Sequence, residues 1–267
     1  MNTTDNIKAQ TFWEHLDELR GCLIRIGAAI VIFGVIAFLF KEVLFAIVLA
    51  PKNDSFITYR AFALASDWLS LSGVKPEAFS VKLINTGLAE QFVIHMRTSV
   101  YAGILCASPY ILYVLFRFVS PALYSQEKKY ATRVVGSSYV MFMLGVGLSY
   151  FLIFPLTFRF LGTYQVSSEV ENMISLQSYM DTLMMMNLMM GIVFEIPILC
   201  WLLAKFGLIS AAFMRRYHRH AIVVILVIAA IITPTSDVFT LLLVSLPMWL
   251  LYECSIFIVK HAKKEQI

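Results

Sequence analysis

Residues 23 to 48 read LIRIGAAIVIFGVIAFLFKEVLFAIV, a long apolar run with positive charge near its two ends, at Arg25 and Lys41. A helix needs roughly 20 apolar residues to cross a bilayer, and this run supplies them. It is too long for the apolar region of a secretory signal, so we expect no cleavable leader. It also lacks the strict alternation of a barrel strand. The run therefore predicts a transmembrane α-helix.

The whole chain has the composition of a polytopic membrane protein. Of its 267 residues, 60% are apolar and 14% are charged, whereas soluble domains average roughly 45–50% apolar and about 25% charged. These values also exclude disordered, collagen-like and coiled-coil chains. Six apolar segments follow one another, at about 23–48, 92–119, 131–156, 179–208, 221–233 and 238–259.

The predicted fold is all-α: one membrane domain over residues 1–267, formed by a bundle of six transmembrane helices within 23–259. Residues 1–21 are expected to be an amphipathic cytoplasmic N-terminus, and 260–267 a cytoplasmic tail. Fourteen of the 21 lysines and arginines lie at one set of segment ends. Because positive charge is enriched on the cytoplasmic side, both termini are predicted to lie in the cytoplasm.

Two acidic groups occur at these positively charged ends. Residues 11 to 14 form a Ser/Thr-x-x-Glu capping box, which predicts a helix start. Glu14, Asp17 and Glu18 then share one helix face, and Glu127 lies in the link between the second and third segments. Solvated surface acids explain each group taken alone. An acidic cluster at the cytoplasmic surface is nevertheless unusual, because anionic lipid headgroups repel it.

Glu195 lies in the middle of the fourth segment, between Phe194 and Pro197. A carboxylate at that depth costs about 2.5–3.5 kcal/mol on insertion scales, which favours a functional position. A protonated, hydrogen-bonded structural glutamate is the other interpretation. Six methionines in the same segment favour adaptable packing over a copper path, because no Cys or His accompanies them. They are Met180, Met184, Met185, Met186, Met189 and Met190.

Six short motifs then occur in order over nearly the whole chain. They are Glu14-His15-Leu16-Asp17-Glu18-Leu19-Arg20, Ser120-Pro121-Ala122-Leu123-Tyr124 with Glu127, Phe154-Pro155-Leu156 with Phe158, Phe194-Glu195-Ile196-Pro197, Thr233-Pro234 before Asp237, and Pro247 before Tyr252-Glu253. In these motifs the chain resembles the TatC family, the polytopic subunits of the twin-arginine protein translocase.

The resemblance implies a signal-peptide receptor and scaffold with a concave face, exporting folded proteins by means of the proton gradient. It implies that Glu18 and Glu127 contact the paired arginines of the signal peptide. The chemistry fits, because arginine and carboxylate form bidentate, charge-assisted pairs. We include Glu14, Arg20 and Phe118 in the same expected site.

The resemblance also matches Glu195 to an intramembrane acid of the family and Pro51 to a proline after the first span. We group these two residues with Asp237 as expected translocation residues. Thr233 and Thr240 are the expected contacts for partner helices. Here the chain departs from the family: residues 233 to 237 are one residue longer than the common TPPD version, and Thr240-Leu241 replaces a frequent Ser-Gln pair.

The implied partners are twin-arginine signal peptides, single-span TatA-type and TatB-type proteins, other copies of the chain and membrane lipid. No nucleic acid, cofactor or metal is expected, and the bacterial inner membrane is the expected location. Two alternatives stay open: a proton-coupled small-molecule transporter that uses Glu195, and a membrane enzyme that uses Glu18 and Glu127 as an acid/base pair. No phosphate loop, nucleophile elbow or HExxH motif favours the enzyme.

Overall fold

The computed structural model describes residues 12–68, 82–119, 131–167, 172–233 and 237–262, and in these ranges the chain is a bundle of α-helices. The helices are α1 (Phe12–Leu39), α2 (Lys41–Val48), α3 (Ile57–Trp68), α4 (Glu90–Val119), α5 (Ala131–Leu148), α6 (Phe154–Thr163), α7 (Leu176–Val193), α8 (Ile196–Lys205), α9 (Ala211–Arg216), α10 (His218–Ile232) and α11 (Val238–Ala262).

Five helical stretches in the described ranges are long and apolar enough to cross a membrane. They are Leu16–Leu39, Glu90–Phe118, Val134–Thr163, Leu176–Lys205 and Val238–His261. The segment predicted at 221–233 is the shorter helix α10, which has 15 residues. The prediction of an all-α polytopic membrane protein is confirmed.

The first apolar run is not one helix, as we predicted, but two. Helix α1 ends at Leu39, Phe40 has non-helical angles (φ −93°, ψ 46°), and α2 begins at Lys41. At its other end α1 extends back to Phe12, so the acidic motif and the first span share one helix. The charged pair Lys41-Glu42 directly follows the break, but the apolar residues on both sides of it made the run look like a single span.

The link between the first two spans contains structure that the sequence did not predict. Residues 57 to 68 form α3, and the two-residue strand β1 (Leu83–Ile84) pairs in parallel with β2 (Ile174–Ser175). Leu83 lies opposite Ile174, and Ile84 lies opposite Ser175. The strand pair therefore joins the link between the first two spans to the link that precedes α7.

Two further spans are interrupted near prolines. A π-helical turn, Ser149–Ile153, joins α5 to α6, and Pro155 lies in the first turn of α6. Helix α7 ends at Val193 and α8 begins at Ile196, with Pro197 in its first turn. Proline fits the first turn of a helix because the amide hydrogens there have no helical partner. The break between α7 and α8 falls at Glu195.

The bundle is closely packed where glycines face a neighbouring helix. A Cβ on Gly103 of α4 would lie 2.7 Å from the Ile30 carbonyl oxygen of α1, and a Cβ on Gly145 of α5 would lie 2.5 Å from the Met190 carbonyl oxygen of α7. Met180, Met186 and Met190 are fully buried in the main core. The predicted packing role of the methionines is thereby confirmed.

Candidate functional site

Helices α1 and α4 run antiparallel. Phe38 stacks on His95 with ring centroids 4.1 Å apart, while Ile30 lies beside Gly103. Residue numbers therefore increase along α1 in the direction in which they decrease along α4. The same register places residue 18 opposite Leu115, about one turn before the end of α4 at Val119 and within a turn of Phe118. We call this end of the bundle, where α1 begins and α4 and α11 end, the basic end, and the opposite one the far end.

Part of the predicted arginine-binding site can be located at the basic end. The side chains of Asp17, Glu18 and Arg20 are exposed on the first turns of α1, and Phe118 is half-buried on α4. The side chain of Glu14, and Glu127 with the rest of residues 120–130, lie outside the described residues. Because that link leaves α4 directly after Val119, it starts at the same end as Glu18.

Glu195 lies at the break between α7 and α8 and faces α5. The hydroxyl of Ser138, a buried residue of α5, donates a hydrogen bond to Glu195 Oε2. The other oxygen, Oε1, is buried and accepts no hydrogen bond from the described residues. A buried acceptor without a partner costs about 1–3 kcal/mol. Glu195 is therefore a half-satisfied polar group within one of the stretches long enough to cross the membrane.

Pro51 lies at the far end, in a buried helical turn formed by residues 50 to 52. Its carbonyl oxygen, like that of Pro155, is 3.1 Å from the hydroxyl of Tyr59, which donates to both. Tyr179 donates to the neighbouring Val48 carbonyl at 3.0 Å. From Tyr179 to Glu195 the chain covers about 24 Å of helix at 1.5 Å per residue. The structure thus separates Pro51 from Glu195.

Asp237 and Thr240 form the N-terminal cap of α11. The backbone amide of Thr240 donates to Asp237 Oδ1 at 2.7 Å, the geometry of an N-cap residue and its third helical residue. The Thr240 side chain is fully buried, and Thr233 is 5% exposed with its hydroxyl donating to the Ala229 carbonyl at 3.0 Å. The surface beside them is formed by exposed neighbours, Ile231 and Val238.

One pair of functional groups was missed in the sequence. The Nε2 atom of His218 is 2.6 Å from Glu253 Oε1, and this contact joins α10 to α11. The two residues are far apart in the sequence, and no motif spacing connects them. The hydroxyl of Tyr252 also donates to the Met214 carbonyl at 2.8 Å, which fastens α9 to α11 at the basic end.

These features define a class: a helical, polytopic membrane protein with a carboxylate inside the bundle and an acidic motif at one end. The family model for the Sec-independent protein translocase protein (TatC) matches residues 14–247. The chain belongs to the TatC family.

Relatives and solved structures agree with this assignment. The Sec-independent protein translocase protein TatC of Blattabacterium sp. subsp. Periplaneta americana is 34% identical, with 96% of this chain and 97% of the relative covered. That of Aquifex aeolicus is 35% identical, with 95% and 97% covered. A crystal structure of the twin-arginine translocase receptor TatC has a TM-score of 0.74 and 35% identity, covering 94% of this chain and 100% of that one.

The protein is accordingly a membrane component of the Sec-independent protein translocase. TatC proteins are translocase subunits and not a family of enzymes. The alternative function as a small-molecule transporter has no support in these relatives.

Proposed function

We propose that this chain recognises twin-arginine signal peptides at the basic end and acts as the scaffold of the translocase that exports folded proteins with the proton gradient. The observation that carries the proposal is the antiparallel pairing of α1 and α4. It sets the exposed Glu18 within about one turn of Phe118, near the end of α4 from which the link bearing Glu127 departs.

The proposed recognition rests on charge and geometry. Two guanidinium groups require two carboxylates, and each arginine–carboxylate pair is a bidentate, charge-assisted contact. Glu18 and Glu127 supply these carboxylates, with Glu14, Arg20 and Phe118 around them. Since Glu18 is exposed to water, salt should screen the interaction.

Photocrosslinking of a twin-arginine signal peptide to the full chain in membranes tests this proposal. Glu18→Ala or Glu127→Ala should reduce crosslinking roughly ten- to a hundredfold, because a hydrogen bond to a charged group contributes about 1.5–3 kcal/mol. Membrane insertion should be unchanged.

Asp17→Ala is the matched control, because Asp17 is an exposed acid on the adjacent position of α1. Crosslinking of Asp17→Ala should stay close to wild type. With a peptide that has two lysines in place of the arginines, Glu18→Ala should crosslink about as well as the wild-type chain does. A Glu18→Ala, Glu127→Ala double variant that binds the arginine peptide like wild type would overturn the proposal.

The orientation follows from the same charge distribution. We propose that the basic end lies in the cytoplasm and that the membrane is the inner membrane of a bacterium, since Arg117, Arg215 and Lys260 all lie at that end. Reporter fusions near Lys128, Arg216 and Lys264 should report a cytoplasmic location, and fusions near Val74 and Glu169 a periplasmic one. A periplasmic signal at Arg216 would contradict this orientation.

Single-span partners of the TatA and TatB type, and other copies of the chain, are proposed to gather at the hairpin of α10 and α11. The support is the exposed apolar surface at the far end of this hairpin, on Ile231, Val238 and Phe239. Because Thr233 and Thr240 are buried, they would shape this surface from beneath, and a docking helix would contact their exposed neighbours.

A further inference from the structure

Helix α9 and the start of α10 carry an exposed basic surface formed by Arg215, Arg216 and Arg219. None of the three arginines forms an ion pair with another described residue. This basic surface belongs to neither the proposed arginine-peptide site nor the partner hairpin at the far end. Its charge is therefore available for a ligand.

The basic surface is held in one arrangement by its buried side. Met214 is 5% exposed and packs with Ile256 and Val259 of α11. The Tyr252 hydroxyl donates to the Met214 carbonyl at 2.8 Å, and the Ser210 hydroxyl accepts from the Phe213 amide at 3.2 Å. With Met214 turned inward, the arginines that follow it face outward.

Among the described residues of α8 to α11, no acid neutralises the basic surface. Between residues 196 and 262 the sequence contains only two acids, Asp237 and Glu253. Asp237 caps the start of α11, a helix length away at the far end, and Glu253 is engaged by His218 at 2.6 Å. The field around the three arginines consequently favours an anion.

Apolar and aromatic side chains border the basic surface. Leu208 is 70% exposed, Phe213 52% and Tyr217 42%. The Phe213 and Tyr217 rings lie 4.7 Å apart. Aromatic side chains next to arginines at the end of a membrane helix are typical of the headgroup region of a bilayer.

We propose that this surface is a binding site for the phosphate headgroup of an anionic phospholipid. The arginines contact the phosphate, because the guanidinium group matches phosphate geometry, and Leu208, Phe213 and Tyr217 contact the glycerol and upper acyl chains. A soluble phosphate would leave this apolar border uncovered. A lipid bound here would fix the depth of α10, whose 15 residues begin at this surface.

Native mass spectrometry of the delipidated full chain in a neutral detergent tests the proposal, with phosphatidylglycerol and phosphatidylcholine of equal acyl chains as probes. The wild type should prefer phosphatidylglycerol. The variant Arg215→Gln, Arg216→Gln, Arg219→Gln should lose about a hundredfold in phosphatidylglycerol affinity, because each basic residue near an anionic surface contributes about a factor of five. Lysines at all three positions should preserve most of the binding.

The matched control removes three exposed charges at the far end, by Lys41→Gln, Arg60→Gln and Lys82→Gln, and should bind phosphatidylglycerol like wild type. The proposal is overturned if the glutamine variant of the basic surface binds as wild type does, or if the control loses as much. It is also overturned if glycerol phosphate displaces the lipid completely at matched ionic strength, since that result indicates a site for free anions.

Discussion

At the scale of single residues, Glu195 is a half-buried carboxylate with only one of its two oxygens hydrogen-bonded by the described residues. One oxygen accepts from Ser138, while the other is buried with no hydrogen bond from the described residues. Such a group is available to a signal peptide, a partner helix or a proton. The backbone of the same residue is satisfied, since the Glu195 amide donates to the Ile192 carbonyl at 3.0 Å and the Glu195 carbonyl accepts from the Leu199 amide at 3.0 Å.

Glu195→Leu should stop cargo export at a step after signal-peptide binding, whereas Glu195→Gln should keep assembly and lose part of the transport rate. Leucine removes the unsatisfied Oε1 but also the acceptor of the buried Ser138 hydroxyl, and because these two effects have opposite signs the variant should still fold. Export and peptide crosslinking in the same vesicles measure the two steps. Export at the wild-type rate by the leucine variant would show that the carboxylate is dispensable.

At the scale of elements, close helix approach organises the bundle more strongly than side-chain size does. Gly145 lets α5 approach the backbone of α7 near Met190, and this approach brings Ser138 to Glu195 two turns away. The second element-scale feature is the difference between the last two helices. The apolar stretch from Val238 to Tyr252, before the charge of Glu253, predicts a last span as short as α10. That prediction is wrong, because α11 has 25 residues and continues past Glu253.

Gly145→Val should destabilise the protein by about 1–3 kcal/mol or more, because its Cβ would lie 2.5 Å from the Met190 carbonyl oxygen. Gly136→Val on the same helix is the control, since a Cβ there meets nothing within 4 Å. Its unfolding free energy should change by no more than about 0.5 kcal/mol. Unfolding of both purified variants in detergent provides the comparison, and equal stabilities would contradict the packing argument.

Lengthening α10 by four leucines should impair recruitment of the single-span partner. The 15 residues of α10 span about 22 Å, less than a hydrocarbon core of roughly 30 Å, and short spans thin the bilayer or associate with other helices. Co-purification of the partner measures recruitment. The control keeps the length and adds leucine at exposed positions outside the proposed docking surface, namely Ile222→Leu, Val223→Leu, Val224→Leu and Val227→Leu. Normal recruitment by the lengthened variant would exclude a role for the short span.

At the scale of the whole molecule, the far end is held together by side chains that bond to backbone carbonyls distant in sequence. Tyr59 donates to Pro51 and Pro155, Tyr179 donates to Val48, and Tyr150 donates to Ile47. The chain leaving the first span is thus fastened to the third and fourth.

Tyr59→Phe should lower the free energy of unfolding by about 1–3 kcal/mol, because two buried carbonyl oxygens lose their donor. Tyr164→Phe, at an exposed tyrosine, is the control. Burial raises the pKa of Tyr59 above its usual value. The contribution of Tyr59 to the free energy of unfolding is therefore fully present at neutral pH and decreases as the pH rises above about 10. Denaturation of the wild type and both variants at pH 7 and at about pH 11, above the ordinary pKa of tyrosine, checks the size and the sign.

The sequence by itself determined that this is a helical membrane protein and where most of its spans lie, because apolar length and charge depend only on local composition. It also identified the candidate acids through motifs of the family. Only the tertiary structure decided the break at Phe40, the partner of Glu195, the burial of Thr233 and Thr240, and the pairing of His218 with Glu253. Each of these depends on residues brought together from different helices, and no local pattern along the chain encodes which helix faces meet.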